Sequence, residues 1–514
     1  MPHRQKTLFV LVACLLLWSV VTGGGTSSGF MVDVIGQLLA IPVFMLTLKM
    51  WWPTGMRECS PAAPDRRWLV FPAILIGALV ALQIVPLGLN SARSALIPPP
   101  LPGFGTGSVL PDDWSLITVT PTATIAAGLS FLVPVSLFMG IGYLDSAQRR
   151  QLAIFAIVLG FVAAVLGFVQ VAQGPESALR FYSFTNPSEA VGFFANRNHF
   201  AAQLYVVLVL AGAWIAAWSN AQRTRHLGSV AWARLAGYAA LVVIIFSAAA
   251  LARSRAGMGL TLLAMAGVAV LALTAPTRPE SKKGISLGTR LTLFVLISGF
   301  LVALHFGTLR VSSRFGENIL DESRSAFTQT TLQTAWSALP FGTGLGSFVR
   351  VYAVVERPEH VMTAYVNRAH NDLAEFLLEA GVPGLILLLL FMIWYGRASQ
   401  VAWRSSAGAE AVDVLLMRAA TFAIALVLLH SLVDYPLRTA AHAAMFALLC
   451  GLLLPAPPEL KLEASPATPN RRSARSEKLK SVAEPVDVAP GTPWKGGNVQ
   501  WPVAWRGDRE RSDR

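Results

Sequence analysis

Apolar residues in this chain come in long unbroken runs, separated by short polar stretches that carry nearly all the charge. Runs of roughly 16–22 residues suit helices that cross a hydrocarbon layer. Only structures that satisfy their own backbone hydrogen bonds are stable there. Apolar length predicts about twelve spans, near 7–22, 29–48, 68–89, 122–142, 151–173, 198–218, 235–251, 257–274, 291–306, 380–395, 415–433 and 438–454. The stretch 307–379 is long and polar, and Ser325–Trp336 within it has the spacing of a moderately amphipathic helix. From about Pro455 the chain is rich in Pro, Ser, Lys and Arg without apolar periodicity, as in a disordered tail. The expected fold is therefore all-α, a polytopic transmembrane helical bundle with one long, partly helical loop. Its expected parts are N-terminal spans (1–150), central spans (151–306), the long loop (307–379), C-terminal spans (380–454) and the tail (455–514).

Composition agrees: 54% of the 514 residues are hydrophobic and 13% charged, against about 25% charged in soluble domains. The net charge of +13 calls for no nucleic-acid partner, because the cations follow membrane topology. With the N-terminus inside, the inner loops carry Lys49, Arg57, Arg66 and Arg67, then Arg149 and Arg150, then Arg223, Arg225 and Arg234. Arg278, Lys282, Lys283 and Arg290 follow, and then Arg397, Arg404 and Arg418, which puts both termini in the cytoplasm. The first run, with Arg4 and Lys6 before it, reads as a span or as a cleaved signal peptide. All eight lysines fall inside, and the outer cations are arginines. A planar guanidinium fork suits bidentate phosphate binding. Cys14, Cys59 and Cys450 have no metal or redox spacing, and Cys14 lies within its apolar run, where a lipoprotein box would not be cleaved.

Candidate chemistry gathers on the outer segments. In Ala195-Asn-Arg-Asn-His-Phe200, either Asn196 or Asn198 can cap the sixth span, which sets Arg197 at a helix N-terminus. Free N–H groups, the helix dipole and a guanidinium together suit a diphosphate, although an arginine at this depth also snorkels to headgroups. Arg253-Ser-Arg255-Ala-Gly257 puts two arginines in a tight outer turn, with small residues behind Arg255 that allow close helix approach. Gly342, Gly344 and Gly346 read as a structural turn, since no lysine follows as in a phosphate loop. Asp372 with Glu375 reads as a capping box for a helix closing at Gly381. His370, just ahead of that cap and near Arg368, has no such structural account, and imidazole titrates near neutrality. His430 and Asp434 fall four apart beside Arg438, either as a salt bridge tying two helix ends or as support for a bound group.

Taken in order, these pieces resemble the O-antigen ligase superfamily, which includes O-antigen ligases, O-antigen and exopolysaccharide polymerases, and protein O-oligosaccharyltransferases. The matching elements are Ala-Asn-Arg197-Asn-His-Phe, Ser-Arg255-Ala-Gly, Pro-Phe-Gly-Thr-Gly-Leu-Gly-Ser-Phe348, Ala-His370-Asn-Asp-Leu and Glu379-Ala-Gly-Val-Pro-Gly384, over roughly 150–450. The resemblance implies a GT-C-like glycosyltransferase of the bacterial inner membrane, metal-independent, inverting and without a cofactor. It implies transfer of a glycan from a polyprenyl (undecaprenyl) diphosphate carrier to an acceptor hydroxyl on the periplasmic face. That acceptor is a saccharide, a lipopolysaccharide lipid A core or a protein hydroxyl. By position, Arg197 and Arg255 match the residues that hold the diphosphate, and His370 the general base. Arg253, Arg368, Asp434 and Arg438 are expected to support the cavity. No Asp-x-Asp pair or His-Glu-x-x-His motif is present. Two other classes compete: a transporter, expected to line a deep cavity with Gln83 or Gln203, and a non-enzymatic scaffold for envelope assembly.

Overall fold

A backbone in lipid has no water to bond, so each apolar run closes its hydrogen bonds on itself as a helix. The structure, a computed structural model, describes residues 2–26, 30–51, 67–85, 116–221, 228–276, 289–301 (except 291, 295 and 300), 319–358, 365–405 and 410–456. Among these residues all regular structure is helical. The helices are α1 (Pro2–Thr22), α2 (Phe30–Trp51), α3 (Phe71–Ile84), α4 (Pro121–Ser130), α5 (Leu132–Gly142), α6 (Ser146–Gln173) and α7 (Arg197–Ala221). They continue with α8 (Ser229–Ala252), α9 (Arg255–Leu273), α10 (Ile319–Ser337), α11 (Phe348–Val355), α12 (Asp372–Arg404), α13 (Ala411–His430) and α14 (Ala440–Leu452).

Nine stretches among the described residues are long and apolar enough to cross a membrane, with α4 and α5 running on as one. Two shorter apolar helices, Trp68–Ile84 and Ala440–Leu452, and helical positions within 289–301 fall on the remaining expected runs. The chain is a polytopic helical membrane protein. The basic stretches at 52–66 and 277–288, the outer segment 86–115, the start of the long loop at 302–318 and the expected tail after residue 456 lie outside the described residues.

The central element is α7, with 89% of its span buried against 22–61% for the other eight. It packs on α6, α8, α9 and α13. Small residues permit this: a Cβ on Gly160 would overlap Val207, and one on Gly212 would overlap Val268. By contrast α6 exposes Ile154, Val158, Phe161, Val162 and Val165, spaced three to four apart as on a lipid-facing surface.

One break positions the polar end of the bundle. At Gly381 (φ 55°, ψ −145°) α12 leaves helical geometry, dividing an acidic first part from an apolar second part. A side chain there would be strained and would overlap the carbonyl of Pro340. Residues 340–346 wrap the break: Thr343 N donates to Leu378 O (2.8 Å), Gly344 N to Glu379 O (2.9 Å) and Val382 N to Pro340 O (2.7 Å). Gln83 of α3 completes the wrap, its Nε2 donating to Glu379 O and its Oε1 accepting from Leu345 N, both at 2.9 Å. The alternate glycines thus serve as a structural turn, and Gln83 is consumed in holding it.

Candidate active site

The site is built at helix ends. Asn196 caps α7: its Oδ1 accepts Asn198 N at 2.8 Å, and Phe200 N makes the first helical bond to Asn196 O at 3.1 Å. Of the two asparagines, Asn198 is not the cap; its side-chain amide donates to Asp434 Oδ2. Arg197 N donates to Asn186 Oδ1 (2.9 Å), and Arg197 Nη1 to Glu189 Oε1 (2.9 Å). The preceding segment 174–196 is pinned by Gln170. Its Oε1 accepts from Val191 N and Gly192 N, and its Nε2 donates to Leu179 O and Gly192 O.

At the neighbouring turn Arg253 ends α8 in the left-handed region, and Ser254 caps α9, its Oγ accepting Gly257 N at 2.9 Å. Arg255 is the first residue of α9, as Arg197 is of α7. Gly257 abuts Ala201, with no room for a Cβ between them. The two N-termini therefore lie side by side, each led by an arginine. The side chains of Arg253 and Arg255 are both exposed.

His370 Nδ1 lies 3.2 Å from Asp434 Oδ1. Its ring meets Tyr435 edge-on at 5.0 Å and faces Phe327 of α10 at 6.3 Å, while Thr328 Oγ1 donates to Ala369 O at 3.2 Å. Among the described residues the non-glycine residues with positive φ are Arg253 (52°) and His370 (54°). Such a conformation costs about 1–2 kcal/mol per residue, and strain of this kind collects at functional sites.

Asp434 is buried and accepts three hydrogen bonds, from His370, Asn198 and Tyr435 N. Burial pushes its carboxyl up, but the bond to His370 and the surrounding imidazoles prevail and hold it well below the usual carboxylate range. An ionised Asp434 selects the tautomer in which His370 Nδ1 carries the proton and Nε2 the lone pair. Tyr435 is pushed up to about 12 by burial and by the Asp434 charge, and so stays a phenol.

The acidic face of α12 corrects the capping-box expectation. The cap is Asn371, whose Oδ1 accepts Ala374 N at 3.0 Å. Glu375 does reach back, but to Ala369 N (3.0 Å) and Arg368 Nη1 (2.8 Å). Arg438 lies among three carboxylates: Glu379 (2.7 Å), Glu375 (3.5 Å) and Asp372 (3.5 Å). Burial opposes its charge, but the three acids outweigh that and raise its pKa. The helix-end bridge expected around Asp434 is therefore not made: Asp434 turns to His370 and Asn198, and Arg438 to α12. His430 contacts Tyr205 Oη through Nδ1 at 3.1 Å and meets Asp434 through its backbone carbonyl.

Sequence reasoning missed two features. One is the stripe Asp372, Glu375, Glu379, whose spacing puts all three on one helix face; a cap accounts for the first two in the sequence and leaves Glu379 unexplained. The other is the group of buried imidazoles His199, His430 and His442, with His199 stacked edge-on against Tyr435 at 4.8 Å. Their grouping needs contacts among α7, α13 and α14 that no local pattern announces. Among the described residues no three His, Cys, Asp or Glu side chains are grouped so as to hold a metal ion.

The fold and this cluster define a class: a polytopic membrane protein with ionisable residues gathered where several spans end. A family model described as O-Antigen ligase matches residues 239–389, which run from α8 through Arg253, Arg255 and His370 into α12. Over that stretch the chain is similar to the O-antigen ligase family. Arg197, Asp434 and Arg438 lie outside the matched stretch. No curated protein matches the chain.

Proposed function

We propose that this protein is a glycosyltransferase of the bacterial inner membrane that moves a glycan from a polyprenyl diphosphate carrier to an acceptor hydroxyl on the periplasmic face. His370 Nε2 takes the acceptor proton as the acceptor oxygen bonds to the sugar's anomeric carbon. The bond from that carbon to the diphosphate oxygen breaks, and its electron pair leaves with the carrier. Attack from the face opposite the leaving group inverts the anomeric carbon. Arg197 and Arg255, each leading a helix N-terminus whose dipole favours an anion, offset the charge that develops on the diphosphate. A diphosphate is already an activated leaving group, so paired guanidiniums can fill the role a cation takes elsewhere. Asp434 orients His370 and stabilises the imidazolium that forms. Arg253 supports the grip from the turn beside Arg255, while Arg368 and Arg438 brace the acidic face of α12 behind His370.

The observation that carries this reading is the hydrogen-bond chain His370–Asp434–Asn198, which ties the imidazole to the residue after Arg197. The test is the purified full-length protein in lipid nanodiscs with an undecaprenyl diphosphate-linked glycan and acceptor. Turnover is expected, with His370→Ala lowering it by roughly 10²–10⁴-fold. Full turnover in that variant would remove His370 as the base. A protein that consumes no carrier-linked glycan would return the transporter and scaffold readings. The acceptor class is read from the intermediate that accumulates on deletion: single repeats on carrier for a polymerase, long chains for a ligase.

A further inference from the structure

The proposed diphosphate grip contains a carboxylate that the transfer chemistry does not call for. Glu189 is 6% exposed; its Oε1 accepts Arg197 Nη1 at 2.9 Å and its Oε2 accepts Ser188 Oγ at 2.9 Å. The backbone fixes it as firmly. Arg180 Nη1 donates to Glu189 O at 2.9 Å and to Asn186 O at 2.8 Å, and Ala190 N donates to Leu251 O at 3.1 Å. Since Leu251 stands two residues before Arg253, Glu189 lies between the start of α7 and the α8–α9 turn. Arg197 thus spends one nitrogen on Glu189, and its side chain remains 23% exposed.

A buried anion beside an anion site weakens binding in general, and is informative where two ligands differ in charge. The two ends of the proposed reaction do differ. A glycan-capped carrier diphosphate is a diester with one ionised oxygen on each phosphate. Transfer uncaps the terminal phosphate, whose second ionisation falls near pKa ~6, so the spent carrier bears almost one more negative charge at neutral pH. Two arginines alone would hold the spent carrier more tightly than the loaded one.

We propose that Glu189 is a positioning residue that fixes the Arg197 fork and, through its own charge, sets the pocket against the more anionic monoester product, so that spent carrier leaves. This rests on Arg197 and Arg255 gripping the diphosphate.

The test uses the full-length protein in nanodiscs with two soluble probes, farnesyl diphosphate (a monoester) and its glucose-capped diester. Glu189→Gln keeps the side-chain shape and removes the charge. It is expected to tighten monoester binding about tenfold, equivalent to ~1.4 kcal/mol, while diester binding changes by less than about threefold. That selectivity should fade below pH ~6, where the terminal phosphate takes up its proton. Glu189→Asp should keep the wild-type ratio of the two affinities, which separates charge from a damaged fold. Equal shifts for both probes, or none, would mean an ordinary structural ion pair and would overturn the inference. Arg197→Ala supplies the control: if it binds both probes as the wild type does, the diphosphate grip itself is wrong; if it loses both, a null result in Glu189→Gln counts against Glu189 alone.

Discussion

At the scale of single residues, the weight falls on His370 and Asp434. The imidazole is held in a left-handed backbone and bonded to a carboxylate kept ionised by its own hydrogen bonds. Replacing that carboxylate by an amide keeps the shape but permits the wrong tautomer. Asp434→Asn is therefore expected to lower the transfer rate by at least roughly 10²-fold with the carrier KM little changed, measured by steady-state kinetics. The same residue predicts an acid response. Its folded pKa lies well below the unfolded value of about 3.9, so its stabilising contribution is complete above that value and is lost progressively as pH falls below it toward the folded pKa. The thermal unfolding temperature of the wild type should drop more steeply than that of Asp434→Asn as pH falls below ~4. Arg255→Lys retains the charge and loses the planar fork, and should cut turnover by roughly tenfold or more in the same assay. The sequence singles out His370, Arg197 and Arg255 as candidates because each stands where local chemistry is unusual: a polar rim, a capped N-terminus, a basic outer turn. Glu189 and His199 gave no such sign. Their significance comes from partners on other segments, such as Arg197 for Glu189 and Tyr435 for His199.

At the scale of elements, two glycines decide whether the site assembles. Gly257 lets α9 lie against α7 at Ala201, which aligns the arginines at their starts. A Gly257→Val side chain would wedge the two helices apart, and overpacking of this kind costs about 1–3 kcal/mol. Carrier binding should weaken in Gly257→Val while the protein still inserts, as read by probe affinity beside size-exclusion behaviour in detergent. The small residues after Arg255 foretold this approach; the partner surface on α7 did not show in the sequence. Gly381 was legible as a helix end for a similar reason, since glycine next to Pro383 punctuates an apolar run. The helix resumes at once, as Pro383 and the apolar run from 380 predict; what the pattern concealed is that three carboxylates before the break align on Arg438. The cap reading failed because Asn371, Asp372 and Glu375 all suit a helix start, and only the tertiary contacts to Ser431 and Arg368 sort them.

At the scale of the whole molecule, the hydrogen bonds sort the helix ends into two sets. Ala195 N donates to Gly24 O and Ala441 N to Gly23 O, so the end of α1, the entry to α7 and the start of α14 meet at the end that carries His370, Arg197 and Arg255. At the other end Arg149 donates to Ile141 O and Gly142 O at the close of α5 and to Leu454 O just beyond α14. Arg418 gathers Ala402 O near the end of α12 and Thr274 O after α9. Carbonyls at helix C-termini lack intrahelical partners and attract cations, so these two arginines staple four helix ends at the face opposite the site. Both had been read from the sequence as cytoplasmic charges, and the proposed periplasmic placement of the site follows from the same charge bias. A labelling experiment tests the orientation directly. With the three native cysteines replaced by serine, Glu176→Cys, exposed in the 174–196 segment, should react with an impermeant maleimide added to cells with a permeabilised outer membrane. Glu410→Cys, exposed at the start of α13 near Arg150, should react only once the inner membrane is breached. The reverse pattern would put His370 in the cytosol, away from any carrier-linked glycan already delivered to the periplasm, and would end the proposed reaction, because the base and both arginines share an end with position 176.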